Sequence, residues 1–201
     1  TGLLMRREAT RRLDQVWVNW REQRLVKGLL RECRLERGSL LDVPCGYGRF
    51  APLFACLGIQ AFGIDLDLEM VRLAVGSQLG DDKVRGACAS AFQLPFADDS
   101  FDGVICIRLL HLQFSDVERL VILRELARVS RRYVIISVYH FTPLHGVARL
   151  FNSTPGRVKQ MTRGQLSDLV RDSGLERQSV RYLMPYFHMQ TVVVLRKRVV
   201  S

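Results

Sequence analysis

Two glycines, two carboxylates and three ring side chains stand where ligand chemistry could be done. Gly46 and Gly48 break the apolar run Leu40, Leu41, Val43, and Asp42 stands four residues before Gly46. Glycines that end a short strand let backbone approach a ligand closely. Asp65 follows Gly46 by 19 residues, at the end of a second apolar run, Ala61–Ile64. That spacing fits an acid that accepts hydrogen bonds from ribose hydroxyls, while Asp67 is better placed to cap the helix after it. Gly46-Tyr47-Gly48-Arg49-Phe50-Ala51 also fits the G-x-G-x-x-G/A pattern of dinucleotide binders. Asp42 argues the other way, because a carboxylate there would repel a pyrophosphate and suits a ligand carrying an ammonium or sulfonium. His111, Tyr139 and His140 each follow or end a predicted strand, at the edge where open α/β sheets bind ligands. Either imidazole could orient a nucleophile or take its proton.

Positioning these residues requires a particular order of elements. The spacing predicts helix over 1–37, kinked or divided at Gly28 and stopped at Gly38, with Val16, Trp17, Trp20, Leu25, Leu29 and Leu30 on its apolar positions. Trp17 and Trp20 are expected to dock, in the core or as a flap over a pocket. Strands are expected at Ser39–Val43, Ala61–Ile64, Lys83–Cys88, Asp102–Ile107, Tyr133–Val138, Leu175–Tyr182 and Met189–Arg196. Between them lie helices at about Phe50–Leu57 and Leu68–Val75, and two opened by capping boxes, Ser115-Asp116-Val117-Glu118 and Thr162-Arg163-Gly164-Gln165. Strand–helix alternation predicts a doubly wound, Rossmann-like α/β sheet of seven strands, mostly parallel, with helices on both faces. The last connection is too short for a crossover helix, so the last strand should run antiparallel. Residues 139–161 are irregular and long enough to be a lid insertion. We expect one domain over 1–201.

Composition narrows the class of partner. The net charge of +10 is uneven: residues 1–37 carry 10 Lys/Arg against 5 Asp/Glu, and residues 131–201 carry 12 against 3, whereas the middle is acidic. Basic ends favour an anionic partner or substrate. No basic run is interleaved with aromatics, so nucleic acid is not specifically signalled. No run approaches the roughly 18 apolar residues of a membrane span. The start is charged and helix-like, unlike a signal peptide. Five cysteines without a C-x-x-C pair read as buried free thiols in a reducing cytoplasm, and argue against zinc, other metals or disulfides.

In combination, Leu41-Asp42-Val43-Pro44-Cys45-Gly46-Tyr47-Gly48, Gly63-Ile64-Asp65-Leu66-Asp67, Leu94-Pro95-Phe96 with Ser100-Phe101-Asp102, and Leu109-Leu110-His111 resemble the class I S-adenosylmethionine-dependent methyltransferases, of the branch that includes the quinone and other small-molecule methyltransferases. The resemblance covers about residues 38–138. It implies S-adenosylmethionine as cofactor, S-adenosylhomocysteine as product, and transfer of a methyl group to an O, N or C nucleophile of a small acceptor; the apolar residues of 139–161, with Arg149, Arg157 and Lys159 at their rim, suit a partly apolar and anionic one. It implies that backbone at Pro44, Cys45, Gly46, Tyr47 and Gly48, with Asp42 nearby, holds the methionine part. Asp65 would bind the ribose and Leu66 would pack on the adenine. Ser90, Ala91 and Phe92 would face the adenine edge, and Ile107 and Arg108 would line the methionine end. Tyr139 and His140, with His111, are the expected acceptor contacts. Two positions depart from the family pattern. Pro44 replaces a glycine and removes a backbone donor. Ser90 replaces an aspartate with a weaker acceptor. An RNA methyltransferase and a non-catalytic binding or scaffold module of the same fold are the alternatives; a nicotinamide-dependent oxidoreductase is disfavoured by Asp42 and the closing strand pair.

Overall fold

The computed structural model describes residues 2–76, 84–112, 114–140, 160–183 and 190–198, and for residues 2–15 the backbone alone. Its elements run α1 (Gly2–Glu32), β1 (Ser39–Asp42), α2 (Ala51–Cys56), β2 (Gln60–Asp65), α3 (Leu68–Gly76), β3 (Val84–Cys88), β4 (Phe101–Cys106), α4 (Asp116–Val129), β5 (Ser130–Tyr139), α5 (Arg163–Asp172), β6 (Leu175–Tyr182) and β7 (Gln190–Lys197). The strands form one sheet in the order β3-β2-β1-β4-β5-β7-β6. β1 pairs in parallel with β2 and β4, β2 with β3, and β4 with β5, whereas β7 runs antiparallel to both β5 and β6. The expected fold class is therefore the observed one. The reversal falls on β7, which inserts between β5 and β6.

Alternating side chains divide the core into two layers, as period-2 strands buried on both faces must. Leu41, Val43, Ile64, Val104, Ile136, Val193 and Leu195 pack toward α4 and α5. Leu40, Ala61, Ile105, Ile135, Val192 and Val194 pack toward α1 and α2. Both predicted capping boxes form: Ser115 Oγ accepts from the Glu118 N–H, and Thr162 Oγ1 from the Gln165 N–H.

The N-terminal segment differs from expectation in two respects. α1 runs unbroken through Gly28 and ends at Glu32, and the chain then turns through left-handed residues at Arg34 and Arg37 rather than stopping at Gly38. Its inward face is Glu22, Val26, Leu29, Leu30 and Cys33, all buried, whereas Trp17 and Trp20 are 41% and 53% exposed. The tryptophans do not join the core; Trp20, with Arg21, Arg24, Leu25 and Leu183, instead lines a pocket of about 270 Å³. Each lies beneath an arginine one turn on: Arg21 over Trp17 and Arg24 over Trp20. Of the cysteines, Cys33, Cys45 and Cys106 are buried, but Cys56 and Cys88 are exposed, against the expectation of five buried thiols. No helix among the described residues is long and apolar enough to cross a membrane.

Candidate functional site

The site begins where β1 ends. Cys45 N–H donates to the Ile64 carbonyl at 2.8 Å, tying the turn after β1 to β2, and Gly46 N–H donates to Asp65 Oδ2 at 2.9 Å. Gly46 has φ +52° and nothing near where a side chain would start, so its surface is open. Gly48, at φ +81°, is closed instead: a Cβ there would lie 2.7 Å from Ala74 Cα on α3. One glycine leaves open backbone surface and the other lets a helix approach. Tyr47 between them is 54% exposed.

Asp65 also accepts from the Asp67 N–H through Oδ1 at 3.1 Å, and Asp67 Oδ1 accepts from the Glu69 N–H at 2.8 Å. Asp67 thus caps α3, as its position suggests, and Asp65 braces the loop. Each carboxylate oxygen of Asp65 keeps a second acceptor site. Beside it opens a cavity of about 250 Å³, whose walls include Pro44, Asp65, Leu66, Ser90, Ala91 and Phe92. Leu109, Leu112 and Phe114 close its far side. Leu66 is 72% exposed at the rim, and Ser90 Oγ accepts from the Phe92 N–H at 3.2 Å.

Two arginines on α4, neither signalled by the sequence, brace the loops that neighbour the cavity. Arg128 donates to the carbonyls of Leu94 at 3.1 Å and Phe96 at 2.7 Å, while Glu125 accepts from the Leu94 N–H at 2.8 Å. Arg119, with no exposed surface, donates to the Leu110 carbonyl at 2.9 Å and to Asp116 at 2.9 Å, fixing the turn after β4. Arg119 follows the capping Ser115 by four residues and Arg128 lies in the last turn of α4, so in sequence they read as ordinary helix arginines.

Asp42 lies at the end of β1, only 4% exposed. Its carboxyl is pushed up to about 8, chiefly by burial, with Arg49 pulling it back and Asp65 adding to the rise. Its Oδ1 is buried without a partner. Burial disfavours the charged form until a cation arrives to share the site.

The residues expected at the far side of the site fall into two groups. Ile107 is buried in the layer facing α1 and α2 and does not reach the cavity. Arg108 takes the left-handed conformation, φ +65°, which costs a residue with a Cβ about 1–2 kcal/mol. Its N–H donates to Ser137 Oγ at 2.7 Å, and its guanidinium turns toward α1, to Glu22 Oε2 at 2.9 Å and Asn19 Oδ1 at 2.9 Å. Arg108 Nε is buried without a partner. Arg49 reaches the same Glu22 oxygen, and Gln190 Nε2 donates to Glu22 Oε1. This cluster was not foreseen. The available signal was an acid, Glu22, on the helix face of Val26, Leu29 and Cys33.

His111 stacks against Tyr139 with ring centres 4.4 Å apart. Burial first, then Arg108, lowers its pKa to about 4, so the ring is neutral at physiological pH. Its Nδ1 is buried without a partner. The Tyr139 hydroxyl is pushed up by burial, also first among its causes. His140 Nδ1 lies 2.8 Å from the Met161 carbonyl, so Nδ1 carries the hydrogen, and Met161 N–H donates to the Tyr139 carbonyl at 2.9 Å. The two ends of the segment expected to form a lid are thus hydrogen-bonded to each other; residues 141–159, and with them His145, lie outside the described residues, as does His188. Among the described residues no His, Cys, Asp or Glu cluster could hold a metal ion.

Residues 41–137 match a family model described as a methyltransferase domain. The chain is 34% identical over 143 residues to the uncharacterised methyltransferase YcgJ of Bacillus subtilis, covering 69% of this chain and 54% of that one. It thus spans about half the length of that relative. Magnesium protoporphyrin IX methyltransferase from Synechocystis, solved with bound S-adenosylhomocysteine, superposes with a TM-score of 0.73 at 20% identity, covering 90% of this chain and 84% of that one. The 1,6-didemethyltoxoflavin-N1-methyltransferase of Burkholderia thailandensis, solved with bound 1,6-didemethyltoxoflavin and S-adenosylhomocysteine, superposes with a TM-score of 0.69 at 20% identity, covering 98% of this chain and 88% of that one. These two likenesses establish the fold.

Proposed function

Since residues 41–137 are a methyltransferase domain of the class I, S-adenosylmethionine-dependent kind, we propose that the protein transfers a methyl group from S-adenosylmethionine to an O, N or C nucleophile of a small, partly apolar acceptor. The observation that carries this reading is the cavity beside Asp65, walled by that acid and by apolar side chains, with the open surface of Gly46 tied to the same acid. When bound, the cofactor supplies a methyl already activated on a sulfonium. The chain's own groups then have to hold and align, which alone can contribute several kcal/mol.

The residues fit that task. Asp65 keeps acceptor capacity for ribose hydroxyls. Leu66, Ala91 and Phe92 offer apolar surface to a purine, and Ser90 offers it a hydroxyl. The open surface of Gly46, together with Pro44, Cys45, Tyr47 and Gly48, admits a close approach of the amino-acid part. Asp42, buried with an unpartnered oxygen, suits a neighbouring ammonium or sulfonium. His111 supports the acceptor assignment better than His140 does. Its Nδ1 is unpartnered in a neutral ring, whereas the hydrogen on His140 Nδ1 is already committed to Met161. Tyr139 stacks on His111 at the same edge. A neutral imidazole held this far down is a weak base, suited to orienting an acceptor's O–H or N–H more than to removing its proton.

The acceptor is small, by this reading, as is the 1,6-didemethyltoxoflavin bound to the Burkholderia thailandensis neighbour; its negative charge would match Arg49 and Arg108. The whole of 1–201 is taken as one domain, since a single sheet recruits strands from Ser39 to Lys197. Calorimetry tests the reading. S-adenosylmethionine and S-adenosylhomocysteine should bind, NADH should not, and RNA should bind only with the steep salt dependence of a non-specific basic surface. Binding of NADH alone, or RNA binding that holds at physiological salt, would replace it.

A further inference from the structure

Glu22 has no exposed surface, yet α1 is already docked by Val26, Leu29, Leu30 and Cys33. Burying an ion pair in such a place seldom stabilises a fold relative to apolar packing. The carboxylate's partners come from three separated parts of the chain: Arg49 after β1, Arg108 after β4, and Gln190 at the start of β7. Both guanidinium groups converge on one oxygen, Oε2. Asn19, one turn earlier, accepts from the same two arginines, at 3.5 Å from Arg49 and 2.9 Å from Arg108. Two cations therefore face one anion, and Arg108 Nε is left over. All of this stands on the carboxyl edge of the central strands, where ligands of open α/β sheets bind.

We propose that Arg49 and Arg108 form a receiving site for the carboxylate of a bound ligand, and that Glu22 is the internal carboxylate filling it when that ligand is absent. This deepens the methyltransferase reading and rests on it for the ligand's identity: the carboxylate is either that of the cofactor's amino-acid end or one carried by the acceptor. Admission of the ligand then requires Glu22 to withdraw, and α1 with it, over the stretch from Asn19 to Gln23. Gln23 Nε2, which donates to the Arg49 carbonyl at 3.0 Å, is the other contact on that stretch to be released.

The test removes the internal carboxylate from the full chain. Glu22→Ala leaves a carboxylate-sized gap above the two arginines. Acetate should raise its melting temperature saturably, beyond chloride at equal ionic strength, and should not do so for wild type. If Glu22→Ala folds only with an anion present, its refolding yield should rise with acetate in the same way. Absence of any acetate-specific effect on stability or yield overturns the proposal. Glu22→Gln then separates the two sources. If the site takes the cofactor's carboxylate, S-adenosylhomocysteine should bind about tenfold tighter than to wild type, because the competing occupied state is gone. 5′-Methylthioadenosine, which lacks the amino-acid end, should bind equally to both. If it takes an acceptor's carboxylate, both nucleosides should bind unchanged and acetate should not displace them from Glu22→Ala. Equal weakening of both nucleosides by Glu22→Gln marks Glu22 as a structural strut and overturns the proposal. Acetate rescue without any S-adenosylhomocysteine binding would overturn the methyltransferase reading and leave the anion site standing.

Discussion

Gly46 N–H and Asp65 Oδ2 meet at 2.9 Å, so the acid that ends β2 also holds the glycine turn that ends β1. Asp65→Ala should therefore act twice, removing a ligand acceptor and loosening the turn. We expect S-adenosylhomocysteine to bind more weakly by roughly 1.5–3 kcal/mol. Asp65→Asn, which keeps one carbonyl acceptor, should lose less. Calorimetry on the two folded variants measures this, and unchanged affinity in Asp65→Ala would remove Asp65 from the site.

The dependence of stability on pH should carry the mark of Asp42. Between about pH 4 and 8 the folded chain keeps a proton on Asp42 that the unfolded chain has lost, so stability falls as pH rises. His111 works in the opposite sense between about 4 and 6.5, where only the unfolded chain binds its proton. Asp102 and Glu125, both lowered, lose their contribution only in acid below the usual carboxylate range. The two opposing groups should partly cancel up to pH 6.5. Above it Asp42 acts without that opposition, with a slope of at most about 1.4 kcal/mol per pH unit. Urea titrations at pH 6.5 and 8 should show a fall for wild type and none for Asp42→Asn; parallel curves would exclude the buried carboxyl as the cause.

Gly48→Ala should lower stability by about 1–3 kcal/mol, because the new methyl meets Ala74 backbone at 2.7 Å in a left-handed conformation. Displacement of α3 should disturb the adjoining glycine turn, so cofactor affinity should fall with it. Denaturant midpoints and calorimetry on one preparation report both.

The outward tryptophans make a prediction about α1. Trp20→Ala should change stability by no more than about 0.5 kcal/mol. Leu30→Ala, which empties a fully buried position, should cost about 2–5 kcal/mol. A reversed order would mean that α1 presents its other face to the sheet.

The strands and their order were legible because their signals are local. Leu40, Leu41 and Val43 ahead of Gly46, or Ser115 three residues before Glu118, declare an element within one short window. The Asp65 position was legible for the same reason, being a fixed count from the glycines. α1 was misread because size and apolarity were taken as evidence of burial. Trp20 stands about 160° around the helix from Glu22, and the burial face follows Glu22. An acid in line with Val26, Leu29 and Cys33 looked like an interruption of the apolar stripe. Its partners Arg49 and Arg108 lie 27 and 86 residues away, so only the tertiary fold brings the three together. Arg119 escaped notice similarly, since the Leu110 carbonyl it neutralises belongs to a turn, not to a side-chain motif.

Met161 closes on Tyr139 and His140, so entry and exit of the 139–161 excursion share a single hinge point on β5. The pairing register of β5 with β4 and β7 is therefore set, as far as Tyr139, independently of the length of chain between His140 and Gln160. Inserting or removing residues in that interval should cost only the slow loop-closure increment, about 0.6 kcal/mol per doubling, and leave every strand of the sheet paired as before.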